Sequence, residues 1–410
     1  MNASASVPTR RFDPLSHRGD TKAFRAEVAA WLSASVPSDW MNRVRTGGEH
    51  AYVALQREWL EALRAVGLHT AHWPKDWGGE ELSLSEQVIL YEELARASAP
   101  YTDMFTISLY HLPATLFAHG TPGQRECYLA GVRDRGEVWC QGFSEPGAGS
   151  DLASLRTRAE RQRRDGREVF VVNGQKIWSS HGVLADYCLL LARTDPNAPR
   201  KQSGISYFIL DMKSPGVTVR PIRQITGEAE FAEIFLDGVV IPIENLLGAE
   251  NDGWRIAQST LTAERGILIF EYGERLRHAI AREAMHARDT WLLDPALAQE
   301  FSTFYPRARA LSVLMRQMLA EIAADPHGGG GQLATYIKLY WAMLLQDYNG
   351  FLVRAEGLNA QLLTPPIRCG GLTTGDHMYD FLKSYSWTIA GGSNEVMRNV
   401  ISERLLGLPR

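Results

Sequence analysis

The sequence has few cysteines and no long apolar run. The four cysteines, Cys127, Cys140, Cys188 and Cys369, are widely spaced and form no CxxC pair. This spacing argues against a zinc site or a disulfide framework, and we expect four buried or partly buried thiols. A catalytic cysteine stays open as an alternative, although no local signature accompanies any of the four. No stretch approaches the roughly 20 apolar residues that span a bilayer, so no membrane segment is predicted.

Basic charge is not in excess either. The formal net charge is −4, which argues against general nucleic-acid binding, because such proteins usually carry a basic footprint. The first residues, MNASASVPTRRFDPLSHRGD, contain no apolar run of the signal-peptide type. We therefore expect a cytoplasmic protein with a disordered tail over residues 1–19. The hydrophobic content of 45 % is enough for a sizeable core.

From residue 20 to about residue 135, apolar residues recur at helical spacing. Examples are YVALQREWLEALRAVG and SEQVILYEELARAS. Asp20 and Ser85 stand where N-caps would stabilise two of the helices. The pattern predicts an N-terminal helical domain over residues 20–135.

Residues 136–250 contain short segments rich in β-branched and aromatic residues, such as REVFVVN, DYCLLLAR and ISYFILD. Asp165-Gly166 and Asn173-Gly174 both suit tight hairpin turns. Because many short strands follow one another without helices between them, this region is predicted to be an antiparallel β-barrel or sandwich.

Residues 251–410 return to helical periodicity. The segment from Trp254 to Trp291 could form one very long helix, broken near Gly266 or Gly273. Further amphipathic segments follow, the last being NEVMRNVISERLL, with the four glycines at 328–331 as a flexible connection. Four amphipathic segments predict a helical bundle. The fold class is therefore α+β and multidomain, with a helical domain, a β domain and a C-terminal bundle.

A glycine-rich stretch, CQGFSEPGAGSDLASLRT, begins at Cys140. It is not a dinucleotide fingerprint, because the third glycine is missing and no βαβ unit surrounds it. Two interpretations remain. Its Pro, Gly, Ser and Asp residues suit a plain surface turn. Alternatively, its glycines let backbone N–H groups approach a flat or anionic ligand.

Four segments of the chain resemble the acyl-CoA dehydrogenase family, in the order and spacing of that family. They are CQGFSEPGAGSDLASLRTRA, NGQKIWSSHG, FLDGVVIPIENLLGAENDGW and IAGGSNEVMRNVISERLLGLPR. The resemblance extends from about Asp20 to Arg410. It implies the same three-part fold, FAD as cofactor, and removal of two hydrogens from the α and β carbons of an acyl-CoA thioester. It also implies an electron-transfer flavoprotein as partner, and no metal.

The resemblance assigns site residues position by position. It implies substrate contacts by Ser150, Thr262 and Arg265, and a backbone contact to the thioester oxygen by Gly391. The implied FAD-binding residues are Gln141, Gly142, Phe143, Ser144, Trp178, Ser179, Ser180, Gly392, Ser393, Asn394 and Glu395. Ser180 stands where the family has Thr, which keeps a hydroxyl group at that position.

The catalytic base is predicted at Glu264. Many family members carry a glutamate near the C-terminus, but Gly391 occupies that position here. Another branch, of the isovaleryl-CoA dehydrogenase type, carries its base on a bundle helix directly before an arginine, as Glu264 precedes Arg265 in TLTAERG. An ordinary solvated glutamate, or one held in an ion pair with Arg265, is the alternative. Glu271, two helical turns further on, is the reserve candidate.

The family's Arg-x-x-Phe-Gly and Gln-x-x-Gly-Gly segments, which complete the FAD site of a neighbouring subunit, are not recognisable here. HARDTWLLDPALAQEFSTFY and AEGLNAQLLTPP stand in their places. Two assemblies therefore remain open. The chain is either a self-sufficient homo-oligomer or one half of a hetero-oligomer with a second dehydrogenase-like subunit.

Other functions also remain open. The chain could be a non-catalytic subunit, or it could catalyse related oxidase chemistry on a nitroalkane or with oxygen. The sequence does not distinguish branched, ring-bearing and long acyl groups, or acyl-CoA from an acyl group on a carrier protein. The width of the pocket would depend on packing around His111, Tyr272 and Tyr385.

Overall fold

The computed structural model describes residues 17, 19–264, 267–325, 331–361 and 374–409, and only the backbone of residues 259 and 261–264. The disordered tail predicted for residues 1–19 and the glycine connection at 328–331 therefore lie largely outside the described residues. The described helices are α1 Thr21–Ser35, α2 Trp40–Ala65, α3 Leu84–Arg96, α4 Leu112–His119, α5 Pro122–Arg135, α6 Gly253–Glu264, α7 Ile267–His286, α8 Pro295–Ser302, α9 Phe304–Ala324, α10 Gly331–Glu356, α11 His377–Ile389 and α12 Asn394–Val400.

The N-terminal helices begin at capping residues. Asp20 caps α1, as predicted, by accepting hydrogen bonds from the backbone N–H groups of Lys22 and Ala23. The cap of α3 is Ser83, so the prediction of Ser85 was wrong by two residues. Ser83 and Glu86 form a capping box, in which each side chain accepts from the backbone N–H of the other.

The middle of the chain forms eight strands. They are β1 Trp139–Gly142, β2 Arg158–Arg164, β3 Arg167–Ser180, β4 Tyr187–Arg193, β5 Ile205–Asp211, β6 Val217–Ile222, β7 Phe231–Pro242 and β8 Leu246–Leu247. The order in the sheet is β6-β7-β3-β2-β4-β5-β8, with β1 beside β4. Most pairs are antiparallel, as predicted, but β1 and β2 run parallel to β4.

Only one of the two predicted hairpin turns exists. Asp165 and Gly166 join β2 to β3 with φ values of 49° and 78°, as a type I′ turn requires. Asn173-Gly174 instead lies inside β3, where the register against β7 shifts. A Cβ atom at Gly174 would lie 2.5 Å from the Thr157 hydroxyl group. The glycine therefore permits close packing of strands rather than a chain reversal.

The sheet curls so that strands that are not neighbours face each other. Phe170 of β3 packs edge-to-face on Phe208 of β5, with ring centroids 4.9 Å apart, although β2 and β4 lie between these strands in the sheet. Alternate residues of β4 face two separate cores. Leu189 and Leu191 pack against the N-terminal helices, whereas Leu190 packs inside the curled sheet. Burial on both faces explains why β4 has a continuous apolar run.

Two cysteines meet inside the sheet. Cys140 of β1 and Cys188 of β4 are register partners, and both are buried free thiols. Cys127 is exposed, so the expectation that it is buried was wrong; α5 presents it to solvent. Cys369 lies outside the described residues.

The C-terminal helices α7, α9, α10 and α11 pack together, and α7 also packs on α3. The break predicted near Gly266 agrees with the helix bounds, since α6 ends at Glu264 and α7 begins at Ile267. Gly273 does not break α7. A Cβ there would lie 2.2 Å from the Met315 methyl group of α9, so this glycine permits close helix packing. The segment NEVMRNVISERLL forms only the short α12 and a following π-helical turn, and α11 supplies the fourth long helix.

One apolar core joins the first and last parts of the chain. It contains residues of α1, α2 and α3 together with residues of α7, α9 and α10. A second core joins the N-terminal helices to the sheet and to α6. The helical regions and the sheet therefore share surfaces, and the cavity described below lies among them. None of the described helices is both long and apolar enough to cross a membrane.

Candidate active site

A cavity of about 190 Å³ lies where the N-terminal helices, the sheet and the C-terminal helices meet. Each of the three parts of the chain contributes to its wall. The lining residues are Tyr101, Asp103, Thr106, Ile107, His111, Gln141, Ser180, His181, Glu230, Phe231, Leu268, Ile269, Tyr272, Lys338, Trp341, Lys383, Ser386, Trp387, Ala390 and Gly391.

The sheet contributes the ends of β1 and β3. The Gln141 side chain donates a hydrogen bond from Nε2 to Nδ1 of His111 at 3.1 Å, which fixes both groups on the cavity wall. Ser180 lies at the end of β3, just after a register shift between Lys176 and Ser179. This irregularity places Ser180 on the wall of the cavity.

Trp178 lies at the same irregularity. Its φ of 62° is unusual for an aromatic residue, and its side chain is 55 % exposed. Such backbone strain persists only where the surroundings impose it, and it often marks functional sites. The ring packs edge-to-face against Phe231, which lines the cavity, at 6.0 Å. One face of a large aromatic ring is thus presented beside the cavity without a protein partner stacked on it among the described residues.

The glycine-rich loop is anchored by a buried ion pair. Lys176 is fully buried, and its Nζ donates to the Phe143 carbonyl oxygen at 3.1 Å and to the Glu145 carboxylate at 2.8 Å. Glu145 also accepts from the backbone N–H groups of Arg156 and Thr157. Burial raises the pKa of Glu145, but the Lys176 charge and these hydrogen bonds outweigh it and hold the pKa below its ordinary value. Glu145 therefore stays ionised and ties both ends of the loop together.

The C-terminal side of the cavity is the turn after α11. Ala390 and Gly391 line the cavity, and Gly391 and Gly392 have φ values of 65° and 91°. Side chains are disfavoured at such angles, so this turn suits glycine. Ser393 then caps α12 by accepting from the backbone N–H of Val396.

The predicted base, Glu264, is the last residue of α6. The backbone of Glu264 closes α6, and Leu268 and Ile269, at the start of α7, line the cavity. The side chains of Thr262 and Glu264, and all of Arg265, lie outside the described residues. The reserve candidate Glu271 is buried in an ion pair with Arg275 at 2.6 Å and does not line the cavity.

Of the predicted site residues that the structure describes, Gln141, Ser180 and Gly391 lie on the cavity wall. Others lie nearby but face elsewhere. The Phe143 ring packs on Tyr207 in the core, and the Ser179 hydroxyl is buried in the sheet. The remaining predicted residues lie off the wall: Gly142 is buried, Ser144 and Gly392 are partly buried, Ser150 and Glu395 are exposed, and Asn394 is buried and accepts from Lys338.

The structure adds wall residues that the sequence did not indicate. Trp341 and Trp387 lie edge-to-face at 4.9 Å, and Tyr272 stacks on Trp341 at 6.0 Å, so three rings form one wall. Four charged or titratable residues form another: Asp103, His181, Glu230 and Lys383. Of the residues on which the pocket width was expected to depend, His111 and Tyr272 line the cavity. Tyr385 is exposed and packs on Phe381.

These groups fit the flavin that the sequence predicts. The exposed indole of Trp178 offers a flat stacking surface. The Ser180 hydroxyl and the Gln141 amide offer hydrogen-bonding groups of the kind that a flavin ring can use. The glycine turn at 391–392 leaves room for a planar group to approach the backbone. The cavity and its rim therefore offer the kinds of contact that a planar, polar-edged cofactor needs.

Comparison with known proteins gives three matching family models. They are the N-terminal, middle and C-terminal domains of acyl-CoA dehydrogenase, over residues 19–135, 140–239 and 251–406 respectively.

Full-length relatives and solved structures give the same result. The chain is 39 % identical to acyl-CoA dehydrogenase IpdE1 of Mycobacterium tuberculosis, over 95 % of this chain and 98 % of that protein. It is 40 % identical to acyl-CoA dehydrogenase FadE34 of the same organism, over 85 % of this chain but only 46 % of that protein. The solved structure of the Tcur3481-Tcur3483 steroid ACAD is similar with a TM-score of 0.81 and 31 % identity, over 95 % of this chain and 98 % of that chain.

Proposed function

Because the chain belongs to the acyl-CoA dehydrogenase family of oxidoreductases, we propose that it binds FAD and oxidises the Cα–Cβ bond of an acyl-CoA thioester. The observation that carries this proposal is the cavity that brings together Gln141, Ser180 and Gly391. These residues come from three separate segments that resemble the family. Residues that bind the same cofactor and substrate must lie close together, and these three residues lie on one cavity.

Glu264 is the proposed base that removes the proton from the α carbon. Its helix ends four residues before Leu268, which lines the cavity together with Ile269. Glu271 is the weaker candidate, because its carboxylate is already bound by Arg275 in the protein interior. A base must reach the proton it removes, and a carboxylate held by a buried guanidinium is not available for that.

The thioester oxygen gains negative charge as the α proton leaves, and a fixed backbone donor stabilises that charge. The amide of Gly391 is the proposed donor, since its turn lies on the cavity wall at the end of α11. FAD, when bound, accepts the two electrons and the hydrogen from the β carbon. Trp178 and Ser180 would orient the cofactor, and the surrounding apolar side chains would keep water from the reacting carbons.

The acyl group is proposed to be bulky and ring-bearing. The three rings of Tyr272, Trp341 and Trp387 form an aromatic wall, and a broad apolar surface of this kind suits a saturated ring system. The similarity to the Tcur3481-Tcur3483 protein, which is named a steroid ACAD, supports this substrate class. An electron-transfer flavoprotein is the proposed electron acceptor.

We further propose that the chain works with a second dehydrogenase-like subunit. FadE34 is roughly twice as long as the part this chain matches, since the match covers 46 % of it. The name of the similar steroid ACAD joins two components, Tcur3481 and Tcur3483. The altered segments that would complete an FAD site in a neighbouring subunit support the same assembly.

The test is made with the protein purified alone and with the protein co-expressed with its partner subunit, and in each case the native protein is compared with Glu264→Gln and Glu271→Gln. Each is mixed anaerobically with linear, branched and ring-bearing acyl-CoAs while the flavin absorbance is recorded. We expect bleaching by ring-bearing acyl-CoAs, lost in Glu264→Gln at unchanged flavin content. Full bleaching by Glu264→Gln would refute its role as base. A colourless protein that gains flavin only with a co-expressed partner would support the hetero-oligomer, and a protein that holds FAD and turns over alone would refute it.

A further inference from the structure

The cavity has a charged wall that dehydrogenation of a plain hydrocarbon chain would not need. Asp103, from the segment before α4, lies largely buried on this wall, and one of its carboxylate oxygens accepts a hydrogen bond from the Tyr52 hydroxyl. Its other oxygen, Oδ2, lies 3.8 Å from Nε2 of His181. That separation is too long for a direct hydrogen bond. Both residues line the cavity, so this pair of polar groups borders the space where the acyl group is expected.

The remaining polar groups of this wall are already satisfied. Lys383 Nζ donates to Glu228 at 2.9 Å and also to Glu230. Tyr379 donates its hydroxyl hydrogen to the other oxygen of Glu228 at 2.5 Å. The residues that line this wall are two carboxylic acids, Asp103 and Glu230, and two basic residues, His181 and Lys383. Because Lys383 is already bound by Glu228 and Glu230, the pair formed by Asp103 and His181 is the part of the wall that suits a neutral group able to donate and accept a hydrogen bond.

We propose that the acyl group of the substrate carries a hydroxyl group that binds between Asp103 and His181. The hydroxyl oxygen approaches from the cavity side and bridges the two atoms, which lie 3.8 Å apart: it donates its hydrogen to Asp103 Oδ2 and accepts one from His181 Nε2. A ketone could accept from His181 but could not donate to Asp103. A ring without oxygen would displace water from both polar atoms and would offer neither of them a hydrogen bond in its place. This inference rests on the proposed function, because it specifies the substrate class of the same site.

The position of this subsite follows from α11. Lys383, which ties Glu228 and Glu230 in place, precedes the end of α11 at Ile389 by six residues, or about 9 Å of helix at 1.5 Å per residue. Glu230 is linked to His181 in turn, because its carbonyl oxygen accepts from the His181 backbone N–H at 2.8 Å. The hydroxyl group is therefore expected on a distant part of the acyl group, separate from the thioester near Gly391.

The test uses three CoA thioesters that differ in one substituent. They are 3-cyclohexylpropanoyl-CoA and its 4-hydroxycyclohexyl and 4-oxocyclohexyl counterparts. Flavin reduction in the FAD-loaded protein, with its partner subunit where one is needed, gives kcat/KM for each. We expect the hydroxylated thioester to exceed the other two by about 10- to 100-fold, because a site built around a substrate hydroxyl discriminates against analogues that lack it.

Variants separate this inference from the proposed function. In Asp103→Asn the preference for the hydroxylated thioester should fall towards one, whereas the exposed Asp76→Asn should keep it. Tyr52→Phe keeps the carboxylate and removes only the group that orients it, so it should reduce the preference even if Asp103→Asn does not fold. Equal kcat/KM for the three thioesters would overturn the hydroxyl subsite and leave the proposed function standing. A flavin that none of the acyl-CoAs reduces would overturn both.

Discussion

The buried ion pair between Lys176 and Glu145 should hold the glycine-rich loop in place, and Lys176→Met tests this directly. Lys176 has no exposed surface, and its Nζ bridges the Glu145 carboxylate and the Phe143 carbonyl oxygen. Removing one partner of a buried pair typically costs about 3–5 kcal/mol, because the other charge stays behind. Glu145 keeps two backbone donors, from Arg156 and Thr157, so we expect a loss near ~3 kcal/mol, the lower end of that range.

The assay is the urea midpoint, together with the fraction of flavin that the purified protein retains. Lys201→Met is the matched control. Lys201 also binds a carboxylate of this loop, that of Asp151 at 2.8 Å, but both side chains are more than 60 % exposed. Exposed pairs contribute about 0–1 kcal/mol, so this variant should change little. If the two variants lost equal stability, or if Lys176→Met kept all its flavin, the buried pair would not be what orders the loop.

Three further predictions follow from packing, burial and stacking. Gly273→Ala should lower stability by about 1–3 kcal/mol, since its Cβ would lie 2.2 Å from a methionine methyl group. Gly350→Ala, whose Cβ would have its nearest contact at 3.4 Å, should raise stability by about 0.5–1 kcal/mol. Thermal melts measure both changes, and changes of the same sign would refute this reasoning. Burial lowers the pKa of His69 to about 4, so the unfolded chain binds the proton first and stability should fall, by up to about 3 kcal/mol, as the pH drops from 6.5 towards 4. His69→Gln should reduce this dependence of the urea midpoint, with His72 and His278 supplying the remainder because burial also lowers their pKa values to about 4, and the exposed His50→Gln should leave it unchanged. Trp178→Ala should weaken FAD binding about tenfold in an equilibrium titration, and Trp178→Phe should retain most of it; equal affinity in all three proteins would exclude stacking on this ring.

The fold was largely predictable because its signals are local. The periods of apolar residues distinguish helical from extended segments, and Asp20 and Asp165-Gly166 act through their own backbone neighbours. The wrong predictions concern positions where distant residues decide the outcome. Asn173-Gly174 has the composition of a hairpin turn, but pairing with β7 keeps it inside a long strand. Gly273 has the composition of a helix break, but the packing of α9 makes it a contact point.

The residues of the candidate site also differ in whether the sequence predicts them. Gln141, Ser180 and Gly391 lie in segments that resemble a known family, so their common position could be expected from the sequence. The charged wall could not. Asp103 and Lys383 are 280 residues apart in the chain, and nothing in the sequence around either one distinguishes it from an ordinary surface charge. The tertiary structure, in which α11 is tied to Glu228 and Glu230 just before β7, brings them to one cavity.

Helix α11 joins the proposed hydroxyl subsite and the turn proposed to bind the thioester in one rigid body. At one end Lys383 is fixed by Glu228 and Glu230, and at the other the chain turns at Gly391. A helix transmits displacement along its axis with little compression, so an acyl group that fits poorly near Lys383 would shift the turn proposed to bind the thioester. Errors of an ångström at a reacting centre affect rate more than binding. This enzyme should therefore distinguish wrong acyl groups mainly by slow turnover once they are bound, rather than by failing to bind them.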